Sequence, residues 1–232
     1  VPITLYCEGD LGTTPTGACL GNGGHGIYLG NTAFVEIGGM ASGSGNRIAC
    51  NGADGYANPG NASATGVMGN SFYGNGGLAI DVDDDGVSPN DLGDGDPWRD
   101  NFPVLVSAVQ NGTSARVQGT LDAAANANFR LEFYSDSSCD PSGHGEGRNY
   151  LGYIAVGTDA NGHAGFSASL PGVVAGQKLT ATSTIIIGSE PFIDYNTSEF
   201  SACATVAAAP AAPVAGNNGP ICARQTLSLT AS

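Results

Sequence analysis

A dense set of carboxylates falls between residues 81 and 96. Asp81-Val82-Asp83-Asp84-Asp85-Gly86 is followed by Asn90-Asp91, Asp94 and Asp96. Asp81, Asp83 and Asp85 with Gly86 fit D-x-D-x-D-G, the opening of a Ca2+-binding loop. Alternate carboxylates on an extended turn converge on one side, and hard oxygen ligands suit Ca2+. The expected ligands are Asp81, Asp83, Asp85 and Asp91. The EF-hand ending is missing, since the twelfth position is Leu92. Without a cation these carboxylates repel one another, so the competing expectation is a solvated acidic loop.

Other reactive residues are sparse. His25, His144 and His163 lie in Gly-rich turns. His144 with Asp140 and Glu146 has metal-ligand chemistry, but turn histidines are ordinarily surface residues. No Ser-His-Asp grouping or G-x-S-x-G elbow is present. A polysaccharide lyase needs a Lys or Arg base beside carboxylate-held Ca2+; Arg47 is the only Lys or Arg in the coils, Arg99 lies at the joint, and Lys178 is in the other half of the chain. A glycosidase needs two suitably spaced carboxylates, and the short strands carry no such pair. Tyr28, Tyr56, Phe72 and Tyr73 are the aromatics that would stack on sugars if exposed along one face.

Six cysteines are dispersed at 7, 19, 50, 139, 203 and 222, with no C-x-x-C pair. That pattern disfavours a zinc ribbon and fits an oxidising, extracellular compartment. Cys139 and Cys203 are expected to form a disulfide, and Cys7 and Cys19 to pair across the first coil. Cys50 and Cys222 are then left over as buried thiols or an intermolecular bond. The sequons at Asn61, Asn111 and Asn196 are expected by chance in so Asn/Ser/Thr-rich a chain.

Charge narrows the partners. Seven Lys+Arg stand against 21 Asp+Glu in 232 residues, a formal net charge of −14. Such a surface repels phosphate backbones and anionic lipid, so nucleic acid and membrane surfaces are excluded as expected partners. No stretch of apolar residues is long enough to span a bilayer as a helix. No leader pattern follows Val1, so the expectation is that any signal peptide has already been removed.

The elements that must position these residues change character near residue 100. Glycine is 37 of 232 residues, about twice the usual share of ~7%, and charged residues are only 12%, which argues against helix bundles. Up to about residue 100, apolar segments of two to five residues alternate with Gly/Asn turns: Ile27–Leu29, Val35–Ile37, Arg47–Ala49, Ser71–Tyr73 and Leu78–Val82. Gly21-Asn22-Gly23-Gly24-His25-Gly26-Ile27 is echoed by Gly74-Asn75-Gly76-Gly77-Leu78-Ala79-Ile80, with a degenerate copy at 51–56. Short strands repeating at this interval predict a solenoid whose coils must stack to bury their faces. An open end would call for more coils upstream or a neighbouring molecule.

Beyond residue 100 the strands lengthen. Phe129-Arg130-Leu131-Glu132-Phe133 alternates apolar in and charged out, and Gly165–Leu170 alternates in the same way. Asp159-Ala160-Asn161-Gly162 reads as a hairpin turn between 153–156 and 165–170. Further strands are expected at 104–108, 115–121, 178–184 and 200–206. About seven strands predict an antiparallel sandwich of immunoglobulin-like size. Residues 207–219 read as an Ala/Pro linker, and 220–232 hold one isolated strand with Leu227 and Leu229 as interface residues.

Leu11–Gly17 with Leu20–Leu29, and Gly69–Asp81, resemble the coils of bacterial cell-surface right-handed parallel β-helix repeat proteins. Asn101–Leu105, Leu131–Tyr134, Cys139–Gly147 and Asn196–Ser201 are similar to the β-sandwich module that follows the coils in those proteins. The resemblance implies an all-β chain: a short right-handed parallel β-helix over 1–100, an Ig-like β-sandwich over 101–206 and an extended C-terminal strand. It implies a secreted or cell-surface location and no known catalytic site. The expected function is a non-catalytic structural or adhesive module, forming fibres by strand addition between copies or joined to further domains. A carbohydrate-binding module, or a Ca2+-dependent lyase or glycosidase, is the alternative.

Overall fold

The structure is a computed structural model and describes residues 3–5, 9–30, 35–59, 64–92, 94–95, 99–189, 192–210, 215–217 and 229–231. Glycine and asparagine interrupt the first hundred residues so often that no strand among the described residues there exceeds four residues. The strands are β1 (Ile3–Leu5), β2 (Asp10–Leu11), β3 (Ile27–Tyr28), β4 (Val35–Gly38), β5 (Arg47–Ala49), β6 (Tyr56–Asn58), β7 (Thr65–Met68), β8 (Ser71–Tyr73) and β9 (Ile80–Val82). Each pairs in parallel with the strand three places along, giving the sheets β1-β4-β7, β2-β5-β8 and β3-β6-β9. The chain thus visits three sheets in rotation, and each round lies on the one before.

Register brings like residues into columns. Ile37 pairs with Val67, Ile48 with Phe72, and Tyr56 lies between Ile27 and Ile80. Val35, Ile37, Ile48, Tyr56, Val67, Phe72 and Ile80 form one buried apolar cluster. Between sheets the corners are held by asparagine. The buried Asn70 Oδ1 accepts from Asn46 N and Nδ2, while its own Nδ2 donates to the Ile37 and Met68 carbonyls. Asn75 repeats the arrangement, accepting from Asn51 N and Nδ2 and donating to the Ile48 carbonyl. Gly38 is required at one corner: its φ is +82°, and a Cβ there would stand 2.1 Å from the Met68 carbonyl oxygen.

The remaining strands are longer. They are β10 (Val104–Asn111), β11 (Ser114–Asp122), β12 (Asn128–Asp136), β13 (Asn149–Gly157), β14 (His163–Pro171), β15 (Lys178–Ser189), β16 (Phe192–Thr197) and β17 (Ala204–Thr205). One antiparallel sheet runs β10-β11-β14, the other β13-β12-β15-β16 with β17 also on β15. Phe129, Leu131, Phe133, Val117, Leu121, Phe166, Leu170 and Leu179 fill the space between them. This is a β-sandwich.

Four expectations change. Asp159–Gly162 does not close a hairpin ladder, because β13 and β14 belong to different sheets. Asp159 carbonyl accepts from Asn126, and Ala123 N donates to the Gly162 carbonyl, which draws the turn across to the other sheet. The strand expected at 200–206 shrinks to β17, and the longer β16 lies ahead of it. The end strand is not isolated: β18 (Ala215–Asn217), inside the expected linker, pairs antiparallel with β19 (Leu229–Ala231). Leu229 therefore faces Asn217 in the same chain, while Leu227, Cys7 and Cys222 lie outside the described residues. Finally, Arg130 and Glu132 do not point to solvent; they are 5% and 0% exposed. On the face of β12 opposite the sandwich core, Glu132 and Tyr134 pack against the rounds and Arg130 is covered by Tyr150 and Tyr153 of β13, so both faces are interior.

Asn70→Ala should lower stability by about 3 kcal/mol, because it strands several buried backbone partners. The urea midpoint measures this, with exposed Gln118→Ala within ~0.5 kcal/mol of the parent as control.

Candidate functional site

The last round ends against the sandwich, and three glutamates meet it there: Glu132 and Glu199, which the sequence reading passes over, and Glu146, which it considers only as a metal ligand beside His144. Glu132 on β12 accepts from Gly69 N at 2.8 Å, from Arg130 Nε at 2.7 Å and from the Tyr134 hydroxyl at 2.6 Å. Glu146 accepts from Gly74 N, Asn75 N and Asn75 Nδ2. Glu199 accepts from Val82 N at 3.0 Å and Ser88 N at 2.8 Å. Val67 N donates to Thr197 Oγ1, and Phe72 N to the Gly147 carbonyl. Backbone donors of β7, β8 and β9, which a further round would otherwise take, are thereby satisfied. Tyr134 and Phe200 of the sandwich join the apolar cluster of the rounds, and Phe200 stacks edge-on with Phe72 and Tyr134.

Burial shapes the acidity of these groups. Glu146 is raised by burial, against the hydrogen bonds from Asn75 and Gly74. Burial pushes Glu199 up to about 7, opposed by its bonds from Ser88 and Val82 and reinforced by nearby Asp81. Burial likewise raises Asp81 to about 6, with Asp54 and Asp84 adding to it.

The four expected Ca2+ ligands do not converge. Asp81 is buried and accepts from Asp85 N at 3.1 Å and Gly86 N at 3.0 Å. Asp83 and Asp85 are taken by Arg99, at 2.5 and 3.0 Å. Asp91 accepts from Gly95 N in its own loop. Arg99, 18 residues after Asp81 in sequence, folds back as their counter-charge. Nor do His144 and its acidic neighbours assemble: His144 Nδ1 lies 3.1 Å from the Phe200 carbonyl oxygen, Asp140 accepts from Ser142 N, and Glu146 faces the rounds. Arg47 pairs with Asp10 of the round above it at 2.8 Å.

Carboxylate and imidazole come together elsewhere. His25, Asp54 and Asp84 place one donor atom each within 4.8 Å of one another. His25 Nδ1 is 3.0 Å from Asp54 Oδ2, and Nε2 is 3.8 Å from Asp84 Oδ1. His25 stands two residues before Ile27 and Asp54 two before Tyr56, which are register partners. The repeat alignment of Asn22 with Asn51 already puts His25 and Asp54 in one column; Asp84 follows β9 and has no counterpart in the repeat.

The aromatic candidates separate. Tyr56 and Phe72 are fully inside and offer no sugar platform. Tyr28 is 58% exposed, with its ring 5.3 Å from His25. Tyr73 is half-buried, and the Arg148 guanidinium lies 4.1 Å over its ring. Tyr73 borders a groove of about 410 Å3 that includes Asp136, Asp140, Glu146 and Arg148.

Two disulfides flank this groove. Cys139–Cys203 forms as expected, closing 64 residues. Cys19 bonds Cys50 rather than Cys7. The loop after β2 brings Cys19 over the second round, with Cα atoms 5.5 Å apart, so the bond runs along the stack instead of across one coil. Among the described residues no helix is long and apolar enough to cross a membrane. No known protein family and no curated protein matches the chain.

The raised carboxylates set a pH dependence. The unfolded chain releases the protons of such groups near pH 4, whereas the folded chain holds them to about 6 at Asp81 and about 7 at Glu199. Their contribution is therefore full below about pH 4 and is lost as pH rises through about 6 and 7. Urea midpoints should be higher at pH 5 than at pH 8. Glu199→Gln should flatten that difference by an amount on the order of 3 kcal/mol or less.

Proposed function

We propose that the chain is a non-catalytic extracellular structural module, in which a short right-handed parallel β-helix is terminated by an Ig-like β-sandwich. The observation that carries this reading is the use of the acids. Glu132, Glu146 and Glu199 accept hydrogen bonds from the backbone of the last round. The carboxylates at the groove are engaged too: Asp136 accepts from Ser137 N, and Asp140 from Ser142 N. A hydrolase or lyase reserves its acids for a substrate, while here they hold the scaffold together. Right-handed winding follows from the general handedness of parallel strand crossovers.

Self-association is part of this proposal. Among the described residues β1, β2 and β3 have a partner on one side only. Unpaired parallel edges accept a further strand or another round. Because β19 is paired with β18, strand addition is assigned to these edges and not to the C-terminal strand. A second reading, glycan binding, draws on the exposed ring of Tyr28.

Incubation with a panel of acidic and neutral polysaccharides, with and without Ca2+, should release no reducing ends or unsaturated products. Turnover that disappears with Glu146→Gln would sink the structural reading. A glycan array read with parent and Tyr28→Ala chains tests the second one: Tyr28-dependent signal favours it. Light scattering across a concentration series should show association, and a strict monomer argues against the edge-pairing part.

A further inference from the structure

The rounds place one imidazole and two carboxylates from three different circuits at a single corner. His25 comes from the first, Asp54 from the second, and Asp84 from the turn after the third. We propose that this corner is a binding site for a divalent transition-metal ion, Zn2+ in its simplest form, and that the ion staples the first round to the two beneath it.

The separations suit a shared ion. Ligand atoms bound at ~2.0–2.2 Å stand about 3–4 Å apart around one centre. His25 Nδ1 and Asp54 Oδ2 are 3.0 Å apart, and a donor of Asp84 is within 4.8 Å of both partners' donors. Asp84 is exposed and approaches the ring from its Nε2 side at 3.8 Å, so its side chain turns toward Nδ1 to complete the set, leaving open positions for water.

Two observations besides proximity point to a cation. His25 Nδ1 is shielded from solvent yet makes no hydrogen bond, although Asp54 Oδ2 is so close. The contact lacks the alignment of an N–H donating to oxygen, as expected where two lone pairs face a common centre. Asp54 is itself well buried and anchored, its other oxygen accepting from Leu78 N at 2.6 Å. The second observation is local charge. Asp81 lies near enough to Asp54 and Asp84 to feel both. Among the described residues no Lys or Arg pairs with any of these three, because Arg99 is committed to Asp83 and Asp85.

The donor set selects the ion class. Imidazole nitrogen with carboxylate oxygen suits Zn2+ and neighbouring transition metals, whereas Ca2+ and Mg2+ favour oxygen alone. This also separates the proposal from the D-x-D-x-D-G expectation, whose carboxylates are occupied by Arg99 and backbone N–H groups. Binding to the folded chain alone raises its stability by mass action, and the gain falls on the first round, whose outer edges have no described partner strand.

Calorimetric titration of the metal-stripped full chain with Zn2+ should give one ion per chain, with excess Ca2+ failing to compete. The thermal midpoint should rise with Zn2+ and return with chelator. Asp84→Asn is the preferred variant, since Asp84 has φ +56° and asparagine tolerates that conformation. Asp84→Asn and His25→Gln should each weaken Zn2+ binding by at least the ~10–100-fold that loss of an outer-shell partner costs. Circular dichroism matching the parent shows that each variant folds. Absence of Zn2+ binding, binding that either folded variant retains in full, or displacement of Zn2+ by Ca2+ overturns the proposal. None of these outcomes bears on polysaccharide turnover, so the structural reading stands or falls separately.

Discussion

Stacked parallel strands leave a row of unpaired N–H and C=O groups at each end, and how that row is satisfied governs this molecule. At the C-terminal end the answer is a second domain that supplies acceptors. Three glutamates, a threonine hydroxyl and a backbone carbonyl from the sandwich meet donors of β7, β8 and β9 and of the corners just after β7 and β8. Buried donors without acceptors would cost several kcal/mol in sum. The sandwich is therefore a terminator of the coil stack, and neither half reads as a free-standing unit joined by a tether.

The same constraint explains where charge is buried. Of 28 Asp, Glu, Lys and Arg side chains in the sequence, several of the least exposed sit at this junction. Glu132 is shared among Arg130, Tyr134 and Gly69 N, and the Arg130 guanidinium lies 3.4 Å over the Tyr153 ring. Arg130 Nη2 donates to the Tyr150 hydroxyl as well, so charge and counter-charge are buried together with several hydrogen bonds, which makes burial of charge tolerable. Glu199 and Asp81 have no cationic partner among the described residues, and both hold their protons to higher pH than usual.

Most of the fold was legible because its local signals repeat. Glycine and asparagine at corners, with short apolar segments between, predict short strands, and the chain forms them as parallel ladders such as Tyr56 beside Ile80. Alternation in 165–170 places Phe166, Ala168 and Leu170 on the core side of β14 as expected. The site was less legible. Asp81, Asp83 and Asp85 look like a ligand loop until Arg99 arrives from beyond the motif. Position in the chain pairs Cys19 with Cys7, yet stacking brings it to Cys50. Glu132 looked solvent-facing because period-two alternation says which residues share a face, not what covers that face.

Spacing along the chain was enough to establish short strands, Gly/Asn corners, an acidic surface and the Cys139–Cys203 link, since all of these arise from backbone preference, composition or long-loop closure. Which carboxylate meets which donor was settled by the docking of the sandwich on the last round and by the vertical alignment of successive circuits. The docking contacts join residues from 63 positions apart, Gly69 with Glu132, to 130 apart, Val67 with Thr197. No local pattern encodes such pairs, because hydrogen-bond partners are selected by proximity in space after burial has removed water as the alternative.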